Sequence, residues 1–488
     1  MMRGYGTKYG LLVTLGVLWS LCGAETQASQ LMPRLVVNIM VDQLRSDYMD
    51  AFSQLYGEGG FKLLMREGAF YSQAEYPFAR PDLASASACV QCGTSPYDNG
   101  IPGLRWLDRQ TLIPVHCVDD TDAKGVFTHG GASPLRLRVS TIGDELKVAT
   151  KGRGMVFGVA HGREAAVLSA GHAADGAFWV NVPDGAWCTS SYYGSVPAWL
   201  GGYNDISKAS GRIDAKASLA SINDEVCNFA RYCLQCSGMG LDDDADYMSV
   251  SFSACPDASG NSVEGLQDTY VRLDYSIANL IDAVCKRVGR ERVLFVLTGS
   301  GYCDEAEADD LSRYRIPTGT FSITRAQMLL NMYLIAVYGE GQWVETALDN
   351  ELYLNLKMAE QRNVNIDEML ARCSSFLIQL SGVKDVYTRE RLALGAWTPG
   401  ISKLRNAYSP QCSGDIMIQV SPGWSLVNDV TGESRISREG YVCFPLFFFG
   451  AGVVPQRVEL PVTVDRIAPT VCRALRIRSP NGCAQAPL

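Results

Sequence analysis

Residues 35–41 read LVVNIMV, an apolar run interrupted only by Asn38 and closed by Asp42. A strand with one wet face alternates apolar and polar residues. A run that is apolar at both parities must be covered on both faces, as in a parallel sheet flanked by helices. Similar runs recur at 155–160, 247–252, 293–297 and 445–449. Helical patterns lie between them, at 61–66, at 84–90 and, longest, at 262–288. In the last, Leu266, Tyr270, Leu273, Ile277, Leu280 and Ile281 share one face. Strands alternating with helices predict an α/β fold whose largely parallel sheet is covered on both sides.

Residues 324–404 break this rhythm. They read as mostly helical, most clearly at 328–337 and 366–380, and are expected to form an inserted cap subdomain. Strand patterns then return, and a final helix is expected over 466–475. The predicted division is a signal peptide at 1–28, a first core part at 29–323, the cap at 324–404 and a final core part at 405–488.

The signal peptide rests on Arg3 and Lys8, the apolar run 11–21 and the small residues Ala24 and Ala28 as cleavage points. The run is short for a membrane span, so an N-terminal anchor helix is the lesser alternative. Cys22 would suit a lipoprotein, but Leu21 before it is large for that cleavage. No later stretch reaches the ~18 apolar residues of a spanning helix, so no transmembrane segment is expected in the mature chain. The expected destination is the periplasm or the outer membrane. Sixteen cysteines in an exported chain favour disulfides, and the odd number beyond Cys22 leaves at least one thiol over. The pairs Cys89/Cys92 and Cys233/Cys236 lie too far apart for a zinc ribbon and read as structural. A net charge of −9 offers no footprint for nucleic acid, and no such partner is expected.

Residues 33–68, PRLVVNIMVDQLRSDYMDAFSQLYGEGGFKLLMREG, resemble the start of bacterial periplasmic alkaline phosphatases of the phosphate-irrepressible type. These belong to the alkaline phosphatase and nucleotide phosphodiesterase superfamily. The likeness continues in order through 93–108, 155–179, 267–274, 331–345 and 444–453, and so spans nearly the whole mature chain. It implies a central, mostly parallel sheet between helices, with the cap inserted. It also implies phosphate-ester hydrolysis by a Thr or Ser nucleophile and two zinc ions. Such a metal pair neutralises the attacking and leaving oxygens, and Asp and His ligands suit it.

Carried over residue by residue, the resemblance keeps little of that site. Asp42 matches the first metal ligand. The nucleophile position falls on Leu83, with Ser85 and Ser87 nearby but turned away on the helix. Asp257 is the one candidate left from a second Asp and His pair. An adjacent Asp-His pair is replaced by Ser300 and Gly301, and the last His ligand by Cys443. All four histidines, His116, His129, His161 and His172, lie in the first half, whereas the family's His ligands lie in the second. Arg163 matches an arginine that clamps the phosphoryl group, and His161 stands for its lysine partner. The pair is a possible anion-binding site, with a structural salt bridge as the bland alternative. A substrate-touching Asn is lost near Leu104 or Arg105. His172 reads as a structural hydrogen-bonder. Cys255, Cys303 and Cys443 would gather at the vacated ligand positions, as a disulfide or, less readily, as a thiolate zinc site with Asp42. The acidic run 304–310 reads as a solvated face.

No cofactor is therefore expected, and the chain is expected to be a non-catalytic binding or assembly subunit of an envelope or outer-membrane protein complex. The alternatives are a metal-dependent phosphoester hydrolase with a rebuilt site and a binder of phosphorylated or sulfated ligands through Arg163 and His161.

Overall fold

The structure is a computed structural model describing residues 32–181, 185–209, 219–255, 263–302, 318–395, 398–429, 432, 434–437 and 443–488. The expected signal peptide, Asp257, Cys303 and the acidic run 304–310 lie outside the described residues. The main sheet is built on eight strands: β1 (Leu35–Asp42), β2 (Ala69–Glu75), β3 (Val156–Ala160), β4 (Gly176–Asn181), β5 (Ala186–Ser190), β6 (Asp246–Ser253), β7 (Val293–Gly299) and β8 (Phe444–Gly450). Their order is β2-β8-β7-β1-β6-β3-β4-β5, with short strands completing both edges. From β7 through β1, β6, β3 and β4 the pairing is parallel, while β8 runs antiparallel between β7 and β2.

β1 shows why its sequence is apolar at both parities. Leu35, Val37, Ile39 and Val41 face one core with Leu266, Tyr270, Leu273, Ile277, Leu280 and Ile281. Those six come from one long helix, α4. Five helices matter below: α1 (Leu83–Cys92), α2 (Ile142–Ala149), α3 (Arg163–Ala170), α4 (Val263–Val288) and α5 (Ile467–Leu475). Val36 and Met40 face the opposite core, with Ala86, Cys89 and Val90 of α1 and Val471 of α5. The polar break Asn38 is buried, with its Nδ2 bonded and its Oδ1 without a partner among the described residues. Its Nδ2 donates to the Tyr247 hydroxyl at 2.9 Å, which donates to Gln91 Oε1 at 2.6 Å. β1 pairs with β6 on one side and β7 on the other, so the strand order reverses across it. Ligand crevices of open α/β sheets form at the carboxyl ends of strands where that happens.

A second body follows β7. It holds the helices Ile323–Tyr338 and Ile366–Leu377 against a core that includes Trp343, Leu352, Met369 and Ile418. It also contains an antiparallel sheet in the order Val344–Leu348, Glu351–Leu354, Ile416–Val420, Val383–Thr388. Sequence periodicity shows the helices but not these short strands, and Ile416–Val420 lies past the expected boundary at 404. The body is tied to the main sheet by Arg109 with Asp415 (3.1 Å) and by Lys403 with Glu75 (2.8 Å). Among the described residues, no helix is long and apolar enough to cross a membrane.

Candidate functional site

Asp42 closes β1 at the reversal point, and its surroundings define the site. The next residue, Gln43, takes a left-handed φ of 58°, turning the chain sharply out of the sheet. Ser300, just after β7 and fully buried, donates its hydroxyl to Asp42 Oδ1 at 2.6 Å and accepts from the Gln43 amide at 3.0 Å. Burial pushes the Asp42 carboxyl up to about 6, against the Ser300 hydrogen bond, and the nearby Glu164 and Asp82 carboxylates add to the rise. The matched ligand position at Ser300 thus acts as a hydrogen-bond donor to the matched ligand Asp42.

Gly301 has no room for a side chain. Its φ is +69°, and a Cβ there would lie 2.6 Å from Tyr76 Cδ2 and 2.9 Å from Phe444 Cε1. The two rings pack with centroids 5.4 Å apart, and the Tyr76 hydroxyl donates to the Gly299 carbonyl at 2.9 Å. Aromatic carbon occupies the space that a ligand side chain at 301 would need. Cys443 lies exposed beside this wall, its carbonyl accepting from the Ser46 amide at 2.9 Å. Cys255 and Cys443 are not joined in a disulfide, and Cys303, the third thiol expected at the ligand positions, lies outside the described residues.

Leu83 is the first residue of α1, where hydroxyl chemistry is taken up by capping. Asp82 Oδ1 accepts from the Ser85 amide at 2.8 Å, and Ser85 Oγ accepts from the Asp82 amide at 3.0 Å. This reciprocal box satisfies two helix-end donors and fixes the Ser85 hydroxyl. Ser87 is buried farther along the helix. Leu104, near the lost Asn, donates its amide to Asp82 Oδ2 at 2.7 Å.

Arg163 opens α3, but its guanidinium Nη2 is bonded to Asp119 Oδ1 at 2.7 Å. Part of its fork is therefore already engaged within the chain. His161 is pushed down by burial, and its Nε2 has no partner among the described residues. Next to Arg163, burial pushes the Glu164 carboxyl up, and its Oε2 lies 4.0 Å from His116 Nε2. Burial, with the Arg163 charge, pushes His116 down to about 4, so that pair is not a salt bridge at neutral pH. Glu164, His116, Asp82 and Asp119 surround the site without any sequence signal beyond His116 being one of four histidines. His172 stands apart. Its Nδ1 donates to Asp144 at 2.9 Å and its Nε2 to the Leu137 carbonyl at 3.0 Å. Two acceptors require both ring nitrogens to carry protons, and the Asp144 bond raises its pKa accordingly.

The relatives agree with this fold. Alkaline phosphatase PafA of Elizabethkingia meningoseptica is 26% identical over 98% of this chain and 97% of its own length. Alkaline phosphatase PhoV of Synechococcus elongatus is 26% identical over 92% of this chain and 91% of its own. The crystal structure of wild-type PafA superposes with a TM-score of 0.83 at 24% identity, covering 94% of this chain and 98% of that one, and so shares the fold.

These findings correct one expectation. A chain matched nearly end to end by alkaline phosphatases, whose family the resemblance ties to two zinc ions, is not to be read as cofactor-free. The expectation of no cofactor rested on absent ligands, and the kinship overrides it. The described residues by themselves do not fit a two-zinc site. None of their His, Cys, Asp and Glu side chains forms a group of three or more placed to hold an ion. The sequence profile of the type I phosphodiesterase / nucleotide pyrophosphatase family matches residues 36–441, and the chain belongs to that family.

Proposed function

We propose that this chain is an exported member of its family that has given up phosphoryl transfer and works by binding, as a subunit of an envelope or outer-membrane protein complex. The observation that carries the reading is the wall at Gly301, where Tyr76 and Phe444 fill the place of a ligand side chain. Leu83 at the start of α1 supports it, since a leucine has no nucleophilic atom to offer. Residues 1–28 are the proposed leader, and 324–404 the proposed cap, whose exposed helices supply docking surface. The test is hydrolysis of p-nitrophenyl phosphate and of its bis ester by the purified protein with zinc supplied. The expected result is no turnover above buffer. Chelator-sensitive turnover would sink the proposal.

A second reading, a phosphoester hydrolase with a rebuilt site, is favoured by the carboxyl cluster. Asp42 and Glu164 both have raised pKa values, and raised carboxyls in a crevice are candidates for acid-base work. Turnover in the same assay that is lost in Glu164→Gln would select it.

A further inference from the structure

Four thiols converge on the end of α1 away from Leu83. Cys89 and Cys92 lie on α1, Cys472 on α5, and Cys483 in the tail beyond. α5 packs on α1, and Cys89 and Cys472 share one apolar cluster. α1 stops at Gly93, whose φ is +67°. A Cβ built on Gly93 would lie only 2.7 Å from the Cys483 sulfur and 3.3 Å from Ala468 Cβ. The tail sulfur therefore sits directly against the residue that follows Cys92.

The tail is held there by its own contacts. Arg478 pairs with Glu145 of α2 at 2.9 Å. Asn481 and Ser140 exchange hydrogen bonds, each 2.9 Å long. A Cβ on Gly482 would meet Val139 at 2.8 Å and Thr94 at 3.1 Å, so the backbone is pressed onto the 139–140 and 94 segments. Cys483 turns back, its amide donating to the Pro480 carbonyl at 3.0 Å. These anchors have already removed most of the freedom that closing a covalent link would cost.

We propose that Cys483 forms a disulfide with the Cys89-x-x-Cys92 pair, fastening the tail across the end of the helix that begins at Leu83. Cys483 is partly exposed and accessible to an oxidant, whereas Cys89 and Cys92 are buried. Burial pushes both helix thiols well up, and the neighbouring Cys483 adds to the rise. The helix thiols therefore ionise when the end of α1 opens, which places closure during folding or local opening. The chemistry balances as thiol–disulfide exchange. The Cys483 thiolate attacks an oxidant disulfide such as oxidised glutathione, forming a mixed disulfide and expelling one glutathione thiolate. A helix thiolate then attacks the Cys483 sulfur and expels the second. Two protein thiols lose two electrons and two protons, and the oxidant's S–S bond becomes two thiols.

The inference leans on the exported reading for its compartment, but its test supplies the oxidant and so stands apart from where the chain resides. Full-length protein is refolded with oxidised glutathione, alkylated without reduction, digested and mapped by mass spectrometry. The expected result is a peptide joining Cys483 to Cys89 or Cys92, lost in Cys483→Ser and kept in Cys472→Ser. Full alkylation of Cys89, Cys92 and Cys483 would overturn the proposal, as would a bond from Cys483 to Cys472. Unfolding provides a second readout. Adding reductant is expected to lower the thermal midpoint of the oxidised parent more than that of Cys483→Ser, and equal shifts would count against the link.

Discussion

Replacing Gly301 by alanine asks whether the site is closed where the structure says it is. The new methyl group meets two separate penalties. A left-handed backbone costs a residue with a Cβ about 1–2 kcal/mol. Forcing a methyl group into filled space costs about 1–3 kcal/mol more. Neither wall yields easily, because the Tyr76 hydroxyl is tied to the Gly299 carbonyl and Phe444 is 1% exposed. Gly301→Ala is therefore expected to lose about 2–5 kcal/mol of stability. Urea denaturation would show this as a lower midpoint at unchanged slope. Combining Gly301→Ala with Phe444→Ala removes one wall but leaves φ as it was. Only the Phe444 share of the clash, about 1 kcal/mol, should then return as a favourable coupling in a double-mutant cycle, because the Tyr76 contact at 2.6 Å remains. A single variant within about 0.5 kcal/mol of the parent would refute the reasoning, since ordinary surface changes fall in that range. Position 301 would then have room for a ligand side chain, and the wall would no longer carry the non-catalytic reading.

Asp144 accepts from the Thr141 amide at 2.9 Å, the Ala173 amide at 2.7 Å and His172 at 2.9 Å, so Asp144→Ala should cost about 3 kcal/mol by chemical denaturation. The proton on His172 stabilises the fold fully below its unfolded value near ~6.5, and this is lost as pH rises through the raised folded value. The stability gap between the parent and His172→Gln should therefore be wider in mildly acidic than in alkaline buffer, and a constant gap would remove the charged His172. Asp274 reaches from α4 to cap the helix Phe61–Glu67, accepting from the Gly57 amide at 2.9 Å and the Phe61 amide at 2.6 Å. Asp274→Ala should lower stability by about 1–2 kcal/mol, with Asp274→Asn closer to the parent because burial already pushes this carboxyl up.

The sheet was legible because its central strands carry their environment in their composition. β1, β6 and β7 are buried on both faces, so apolar residues at both parities mark them. α4 was legible for the complementary reason, a single apolar stripe at helical spacing. The strands Val344–Leu348 and Glu351–Leu354 were not. They are only five and four residues long, and they turn at Asp349, whose left-handed φ of 48° is a property of the turn rather than of any hydrophobic period. At the site, Leu83, Ser300 and Gly301 could be read against a family motif, but their surroundings could not. Asp119 lies in the short strand Asp119–Asp120, 44 residues from Arg163 in sequence, and only folding brings the two together. Tyr76 and Phe444 lie on opposite sides of the chain's midpoint, so no local pattern shows that they close the space at Gly301. The cysteines were legible only as a number, since counting thiols suggests disulfides without saying which sulfurs meet.

The central position of β1 also has a consequence for time. It is the first strand of the sheet to be synthesised, yet Leu35 pairs with Asp246 on one side and with Val293 on the other. Until those distant segments arrive, a seven-residue stretch of nearly pure hydrocarbon has neither its strand partners nor the helices that cover it. A chain ordered in this way completes the middle of its sheet late, because non-local pairing must close long loops before it is rewarded. During that wait an unpaired apolar strand is open to pairing with another copy, the general hazard of sheets built from distant segments.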